Sequence, residues 1–219
     1  MAGRDIHPVW LTKQRKMIIS GGLTVCSVIL ALISRSTSCY LAALAMMASM
    51  LGDALLAGYP GCIAEVKNKL VKGALAFFAA HILYICALLV SYGKDAAALL
   101  PHFVPPFSLF FGLTVLHSVL FYSRANSDFS PALFTAAFFY LLTVGIHVSA
   151  AVTVAGQAGG WYVLNTAGAI LFFLSDAVLL ARRYGAVRGK YITALIWITY
   201  VPAQLCLMTG LFLMRTAAV

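Results

Sequence analysis

The chain has 219 residues, of which 63% are hydrophobic and 10% are charged, and 15 Lys and Arg against 6 Asp and Glu give a formal net charge of +9. Long apolar runs with so little charge exclude an ordinary soluble domain and indicate a polytopic membrane protein. The positive charge does not predict a nucleic-acid partner, because it lies between the apolar runs and forms no basic patch with interleaved aromatic residues. The 5 cysteines are scattered without C-x-x-C spacing, so we predict neither a disulfide framework nor a zinc site.

Residues 1–16 form a short basic segment, which we predict to be cytoplasmic, and residues 17–219 form one predicted transmembrane domain. The first apolar run, Met17 to Ser34, follows this basic segment as the apolar part of a signal peptide would. However, the run is long enough to span a membrane, and the sequence SRSTSC after it lacks a small-x-small cleavage pattern. We therefore predict a transmembrane helix here.

Six further apolar runs follow, separated by polar, glycine-containing or proline-containing loops. In chain order they are Tyr40 to Gly58, Gly73 to Tyr92, Phe107 to Tyr122, Ala132 to Ala155, Trp161 to Ala181 and Tyr191 to Met214. The run that begins at Phe107 is the shortest, because we expect the polar, proline-broken connector before it, Gly93 to Pro106, to lie outside the helix. The sequence thus predicts an all-α bundle of seven transmembrane helices.

The orientation of this bundle follows from the Lys and Arg residues of the short loops. Twelve of the 15 lie in the N-terminal segment and in the loops after the second, fourth and sixth runs, and three lie on the other side. The side richer in Lys and Arg is cytoplasmic. We therefore predict a multi-pass integral membrane protein with its N-terminus in the cytoplasm, in the cytoplasmic membrane of a bacterium or the endoplasmic reticulum of a eukaryote.

Two of the apolar runs each contain an aspartate, Asp53 and Asp176. A carboxylate at membrane depth costs roughly 2.5–3.5 kcal/mol on insertion scales, so it is rarely present without a function. With a rise of about 1.5 Å per residue, Asp53, Asp176 and His117 lie roughly 7, 9 and 10 Å from the cytoplasmic ends of their helices. We predict a functional site in this layer. The alternative is that Asp176 only caps its helix or pairs with Arg182 or Arg183 near the interface.

Other polar side chains in the runs are candidates for the same site. Asn165 shares one helical face with Asp176, because Asn165, Ala169, Phe172 and Asp176 recur at spacings of three and four. Gln204 has two interpretations, as a ligand-binding residue or as a hydrogen-bonding contact to a neighbouring helix. We predict that His147 is structural, because it lies towards the outer side.

Two further histidines, His81 and His117, suit either packing or ligand binding. His81 lies one turn before Tyr84. A metal bound by both histidines with Asp53 and Asp176 would need ligands from four helices, and the sequence contains no H-x-x-x-H or H-E-x-x-H pair. We therefore predict no metal and no cofactor.

Four short blocks occur in chain order in the second, third, sixth and seventh runs: LGDALLA, AFFAAHILY, ILFFLSDAVLLARR and TYVPAQL. Together they resemble the signature blocks of the lysoplasmalogenase-like YhhN family. Members of this family are multi-pass membrane hydrolases that cleave the vinyl-ether bond of lysoplasmalogens, which releases a fatty aldehyde and a glycerophospho-base. The resemblance implies an ether hydrolase whose partners are a lysophospholipid substrate and membrane lipids. The positions that it implicates are Asp53, His81, Tyr84, Ser175, Asp176, Tyr200 and Gln204.

The chain departs from the family pattern in two ways. The family usually has a further N-terminal helix, whereas we expect seven spans here, because there is no room for another helix before Met17. The family's Tyr-Tyr-x-Ala-Gln block begins here with Tyr200 and Val201, so the second tyrosine is absent. This second departure bears on substrate preference. Neither departure affects the two aspartates.

The chemistry of the family suits two carboxyl groups in a membrane. Protonation of a vinyl-ether carbon gives an oxocarbenium ion, and burial in apolar surroundings helps a carboxylic acid to keep the proton that this step needs. A second, ionised carboxylate stabilises the cation and activates water, as in glycoside hydrolysis. We predict that Asp53 and Asp176 are this catalytic pair, with the acid unassigned. The predicted substrate-binding residues are His81, Tyr84, Ser175, Tyr200, Gln204, His117 and Asn165, and we expect the lipid head group near Lys67, Arg182 and Arg183.

Three other functions would also use or tolerate these aspartates. A proton-coupled transporter of a small molecule or lipid would use them as a proton relay. Helices interrupted by Gly or Pro at matched positions would favour it, and only Pro202 suggests an interruption. An intramembrane aspartyl protease fits less well, because Met50 stands where the first Gly of its G-x-G-D motif belongs. A receptor or purely structural role predicts that both aspartates can be replaced without effect.

Overall fold

The computed structural model describes residues 12–58, 69–93, 96–123, 130–189 and 191–216. In these residues the chain forms seven long α-helices and one short 3-10 helix, and no strand. They are α1 (Lys13–Ser34), α2 (Thr37–Ala57), α3 (Lys69–Tyr92), the 3-10 helix Ala96–Leu99, α4 (Leu100–Tyr122), α5 (Pro131–Ala158), α6 (Tyr162–Arg183) and α7 (Ile192–Thr216). Each of the seven α-helices is long and apolar enough to cross a membrane. The prediction of an all-α, seven-helix transmembrane bundle is therefore confirmed.

The first three helices begin before the apolar runs at Met17, Tyr40 and Gly73, because polar first turns belong to the helices. Thr12 and Ser36 explain two of these starts. The hydroxyl of Thr12 accepts a hydrogen bond from a backbone N–H of the first turn of α1, and the hydroxyl of Ser36 does the same for α2. Such N-caps satisfy N–H groups that have no partner within the helix. Helix starts are thus set by capping residues, which a hydropathy pattern does not register.

The prediction that residues 93–106 form a connector outside the helices is wrong for residues 100–106, because α4 begins at Leu100. Pro101 is compatible with this start, since a proline in the first turn of a helix removes only an N–H that has no intrahelical partner. The first turns of α4 are therefore helical despite their prolines.

Pro106 lies inside α4 and cannot donate a backbone hydrogen bond to the carbonyl of His102, four residues earlier. That carbonyl instead lies 3.3 Å from Thr153 Oγ1 of α5, whose hydroxyl also donates to the backbone oxygen of Ser149 at 2.7 Å, so two acceptors share one hydroxyl hydrogen. A side chain of the neighbouring helix thus compensates in part for the bond that the proline removes, as neighbouring helices commonly do in membrane proteins.

Within the bundle, α5 is the most buried helix, whereas α1 and α4 are the most exposed. Helices that follow one another in the chain pack together, and the most extensive of these contacts join α2 to α3 and α6 to α7. A close approach at Gly168 accounts for the second pair, because a Cβ atom there would lie 2.9 Å from the backbone oxygen of Ala203. Small residues allow such backbone contact between membrane helices. This contact sets α7, which carries Tyr200, against α6, which carries Asp176.

Candidate active site

Both aspartates of the membrane helices line one cavity of about 520 Å³, formed by residues of α1, α2, α3, α6 and α7. The cavity lies at the end of the bundle where α1 begins and α6 ends. Its lining also includes Lys16 and Arg182 from these two helix ends, and Tyr200 from α7. The structure therefore brings Asp53 and Asp176 together, as the sequence predicts, and surrounds them with cationic and aromatic side chains.

Asp53 is held by hydroxyl groups from two other helices. Ser20 Oγ of α1 donates a hydrogen bond to Asp53 Oδ2 at 2.5 Å, and the hydroxyl of Tyr200 of α7 donates to the same oxygen at 2.8 Å. Among the described residues, no donor bonds the other oxygen, Oδ1. One oxygen of Asp53 is thus fixed in position, and the other remains for a ligand in the cavity.

Asp176 lies deeper and is almost fully buried, with 3% of its surface exposed. The hydroxyl of Tyr140 of α5 donates a hydrogen bond to Asp176 Oδ2 at 2.5 Å. The same oxygen lies 3.9 Å from Nε2 of His81 on α3. Asp176 therefore contacts polar groups of two further helices, and it is not the interfacial partner of Arg182 or Arg183 that the alternative interpretation required.

Three aromatic rings pack together beside the carboxyl groups. The ring of Tyr200, which bonds Asp53, lies edge-to-face against Phe172 at 5.3 Å and against Phe77 at 6.1 Å. Phe172 also lies 4.5 Å from the ring of His81, which faces Asp176. Edge-to-face packing of this kind fixes the rings relative to one another. An apolar cluster of mutually packed rings therefore lies beside the hydrogen-bonded carboxyl groups.

Tyr84 and Gln204 are fully buried and do not line this cavity, although the sequence predicted that they bind substrate. The hydroxyl of Tyr84 donates a hydrogen bond to Gln204 Oε1 at 2.6 Å. The ring of Tyr84 stacks on His147 at 5.7 Å, with the two planes 5° apart. These residues form a second polar layer, which reaches Asp176 through His81, itself fully buried and absent from the cavity lining.

Ser175, His117 and Asn165, also predicted to bind substrate, use their polar atoms to join helices. Ser175 lines the cavity, but its hydroxyl donates to the backbone oxygen of Ile196 at 3.1 Å. His117 Nε2 donates to the backbone oxygen of Ala177 at 2.9 Å, and Asn165 Nδ2 donates to that of Leu207 at 3.1 Å. His117 and Asn165 do not line the cavity. Equal depth in the membrane therefore did not place His117 beside the aspartates.

Two donors to the aspartates, Ser20 and Tyr140, were not among the predicted site residues. A serine within an apolar run carries no signal, because a serine hydroxyl commonly bonds its own helix backbone. Tyr140 did carry a signal, since it shares a helical face with His147. In the structure this face contacts Asp176 through Tyr140 and His81 through His147.

The cavity mouth is cationic. Lys16 Nζ lies 5.6 Å from the ring centroid of Trp197, and Arg182 Nη1 donates a hydrogen bond to Thr193 Oγ1 at 2.5 Å. Lys13 and Arg183 also belong to the lining. Lys67, expected near a lipid head group, lies outside the described residues. In the part of the chain that the structure describes, no three His, Cys, Asp or Glu side chains group as metal ligands would.

Comparison with known proteins gives one match. The model of the YhhN family matches residues 15–211, which is most of the chain and includes every residue of the cavity named above except Lys13. No curated protein and no solved structure matches this chain.

Proposed function

Because this chain belongs to the YhhN family, we propose that it is a membrane-embedded ether hydrolase that cleaves the vinyl-ether bond of a lysoplasmalogen. The products would be a fatty aldehyde and a glycerophospho-base. The observation that carries the proposal is the single cavity lined by Asp53 and Asp176 and opening at a cationic end of the bundle. The reaction needs two carboxyl groups near one bond, and the substrate has a phosphate.

The proposed reaction begins when one carboxylic acid transfers its proton to the vinyl carbon that does not bear oxygen. This step gives an oxocarbenium ion, which the negative charge of both carboxylates stabilises. The second carboxylate takes a proton from water as the water oxygen bonds the cationic carbon, and a hemiacetal forms. The first carboxylate then removes the hemiacetal hydroxyl proton while the second acid protonates the departing ether oxygen. Aldehyde and alcohol leave, and both carboxyl groups regain their starting states.

Hydrogen bonds from neighbouring helices would orient the two carboxyl groups for these steps. Ser20 and Tyr200 fix one oxygen of Asp53, and no donor among the described residues bonds the other. Tyr140 fixes Asp176 from a helix that does not line the cavity. Positioning of reacting groups in this way contributes to catalysis because no rotation remains to be lost in the transition state.

The substrate is amphiphilic, and the cavity supplies surroundings for both of its parts. The phosphate would lie at the mouth near Lys16 and Arg182, where the cationic side chains attract it. The alkenyl chain would extend into hydrocarbon beside the apolar rings. The host bilayer would be the cytoplasmic membrane of a bacterium or the endoplasmic reticulum of a eukaryote.

A direct product assay tests this proposal. The purified protein in lipid nanodiscs is incubated with alkenyl-, alkyl- and acyl-lysophospholipids of the same chain length, and free fatty aldehyde is measured by mass spectrometry. Aldehyde from the alkenyl lipid alone supports the proposal, because the alkyl ether cannot form the oxocarbenium ion by protonation. Release of fatty acid from the acyl lipid without any aldehyde would contradict it.

A liposome experiment distinguishes the proposed hydrolase from a transporter that uses the aspartates as a proton relay. The transporter would give substrate-dependent proton flux in liposomes without product. The structure offers no broken helix in its support among the described residues, since α7 continues through Pro202.

A further inference from the structure

His81 on α3 and His147 on α5 contact each other through their Nδ1 atoms, which lie 3.0 Å apart. Both side chains are fully buried. Among the described residues, Nε2 of neither ring has a hydrogen-bond partner. A neutral imidazole carries a proton on one nitrogen only. The contact between the Nδ1 atoms therefore requires that one ring is the donor and the other is the acceptor.

Two proton arrangements satisfy this contact. In the first, His147 donates its Nδ1–H, so that His81 carries its proton on Nε2, which lies 3.9 Å from Asp176 Oδ2. In the second, His81 is the donor, and a lone pair on its Nε2 faces the same oxygen. Asp176 Oδ2 already accepts a hydrogen bond from Tyr140. It therefore presents lone pairs to His81, which attract an N–H and repel another lone pair.

The other end of the pair favours the same arrangement. In the second arrangement the proton of His147 would be on Nε2, which has no acceptor among the described residues. A buried N–H without a partner is rarer in proteins than a buried acceptor without one. In the first arrangement, the unpartnered atom of His147 is only an acceptor.

We infer that His147 donates its Nδ1–H to His81 and so holds His81 in the tautomer whose Nε2–H is directed at Asp176. His147 itself is held by the ring of Tyr84, stacked at 5.7 Å, and the hydroxyl of Tyr84 is held by Gln204 at 2.6 Å. This gives Tyr84 and Gln204 a role that does not require contact with substrate: they orient the residue that sets the His81 tautomer.

The catalytic consequence rests on the proposed function. Asp176 is ionised during the reaction, either after it has given its proton or while it faces the oxocarbenium ion. In the first case an N–H facing Asp176 stabilises the charge that develops in the transition state, and in the second case it orients the carboxylate towards the cation, so in both cases His147 affects kcat and leaves KM unchanged. His147 is thus a positioning residue that acts through His81.

The tautomers can be observed without any substrate. The full chain is labelled with 15N-histidine, placed in nanodiscs, and its ring nitrogens are observed by NMR at neutral pH, with signals assigned through His81→Asn and His147→Asn variants. We expect a protonated Nδ1 for His147 and a protonated Nε2 for His81. A protonated Nδ1 on His81 would overturn the inference.

Turnover then tests the consequence with a matched pair of variants. In His147→Asn the amide Nδ2–H takes the place of the ring Nδ1–H on the same Cγ, whereas His147→Leu has a similar volume and no donor. We expect His147→Leu to lower kcat about 10- to 100-fold, the range that lost orienting partners cost at metal-bound histidines, with KM unchanged. His147→Asn should retain most of the activity. Equal losses in both variants would refute the positioning role.

The proposed function and the inferred tautomer can fail independently of each other. If the wild-type protein releases no aldehyde, the proposed function fails. The NMR assignment still decides the tautomer in that case.

Discussion

Tyr200 and Asp53 lie 147 residues apart in the chain, yet the tyrosine hydroxyl donates a hydrogen bond to Asp53 Oδ2 at 2.8 Å. The bond joins α7 to α2, and both residues line the cavity. Tyr200, which lies in the sequence block TYVPAQL, was implicated by the resemblance to the YhhN family alone. The structure gives it a physical role, because a carboxylate in a membrane needs donors to hold it.

Replacing Tyr200 with phenylalanine should therefore slow turnover. The change removes one of two donors to Asp53 Oδ2 and keeps the ring that packs on Phe172. A hydrogen bond to a charged group contributes about 1.5–3 kcal/mol, which corresponds to about a 10- to 100-fold loss in kcat if it is fully expressed in the transition state. Aldehyde release measures the effect. Tyr162→Phe, at the start of α6 on the opposite side of the bundle, is the matched control and should match wild type. An unchanged rate in Tyr200→Phe would show that this bond does not support catalysis.

Both aspartates should be indispensable for aldehyde release. Asp53→Asn and Asp176→Asn each remove one proton donor or acceptor while they keep the shape of the side chain and an oxygen that accepts the existing hydroxyl bonds. General acid–base catalysis contributes about 10²- to 10⁴-fold, so each variant should lose at least that factor. Size-exclusion chromatography checks that both variants still fold, and Asp95→Asn, in the sequence after α3, serves as the control. Near-wild-type turnover in either variant would remove that aspartate from the mechanism, and two silent variants would favour a structural or receptor role.

The charge of Lys16 should matter for binding more than for chemistry. Lys16→Gln removes a cation from the cavity lining, and exposed charge pairs contribute about 0.2–1 kcal/mol, so KM for the lysolipid should rise up to about fivefold with kcat retained. Lys16→Arg keeps both the charge and the contact with Trp197 and should restore KM. Arg35→Gln, at the far end of α1, is the control. High salt screens the attraction in the wild-type protein, so the ratio of the Lys16→Gln KM to the wild-type KM should fall towards one. A ratio that stays the same at high salt would contradict an electrostatic cause.

The helices and the two aspartates could be predicted from the sequence, because the free-energy cost of placing a residue in the bilayer depends mainly on its type and its position along the chain. A helix must bury about 20 consecutive apolar residues to span the bilayer, and an intramembrane carboxylate is conspicuous wherever it occurs. The capping residue Ser36 and the helical turns that contain Pro105 and Pro106 were not predicted. They depend on individual hydrogen bonds, which an average hydropathy does not describe.

The contacts between residues of different helices could be predicted only in part. Depth along a helix gives one coordinate, and it grouped Asp53 with Asp176 correctly. It also grouped them with His117, which faces Ala177 instead, because depth does not say where on the helix circumference a residue lies. His147 was expected to be remote. The helix that carries it, α5, has 28 residues, more than the roughly 20 needed to span, so distance from its end does not give depth.

A methyl group at Gly168 should destabilise the bundle. Its Cβ would lie 2.9 Å from the backbone oxygen of Ala203, which cannot rotate away, so α6 and α7 would have to separate. Overpacking of this kind costs about 1–3 kcal/mol. Gly168→Ala should therefore lower Tm in a thermal-shift assay. Gly112→Ala, where no atom lies within 4 Å of the added Cβ, should leave Tm unchanged or raise it, since alanine favours helix. Equal Tm values for the two variants would mean that α6 and α7 do not depend on this close approach.

The bond from Thr153 to the carbonyl of His102 predicts a specific coupling with Pro106. Thr153→Val removes the donor and should lower stability by about 0.5–1.5 kcal/mol, read as a small fall in Tm. In a Pro106→Ala background, residue 106 regains its N–H and can bond the same carbonyl, so Thr153→Val should cost less. The control is Thr143→Val on the same helix, because the hydroxyl of Thr143 donates to the backbone oxygen of Phe139 in its own helix, as that of Thr153 does to Ser149, and has no acceptor on α4 among the described residues. Its effect should be the same in both backgrounds. Additive effects of Thr153→Val and Pro106→Ala in the double-mutant cycle would show that the threonine does not compensate for the proline.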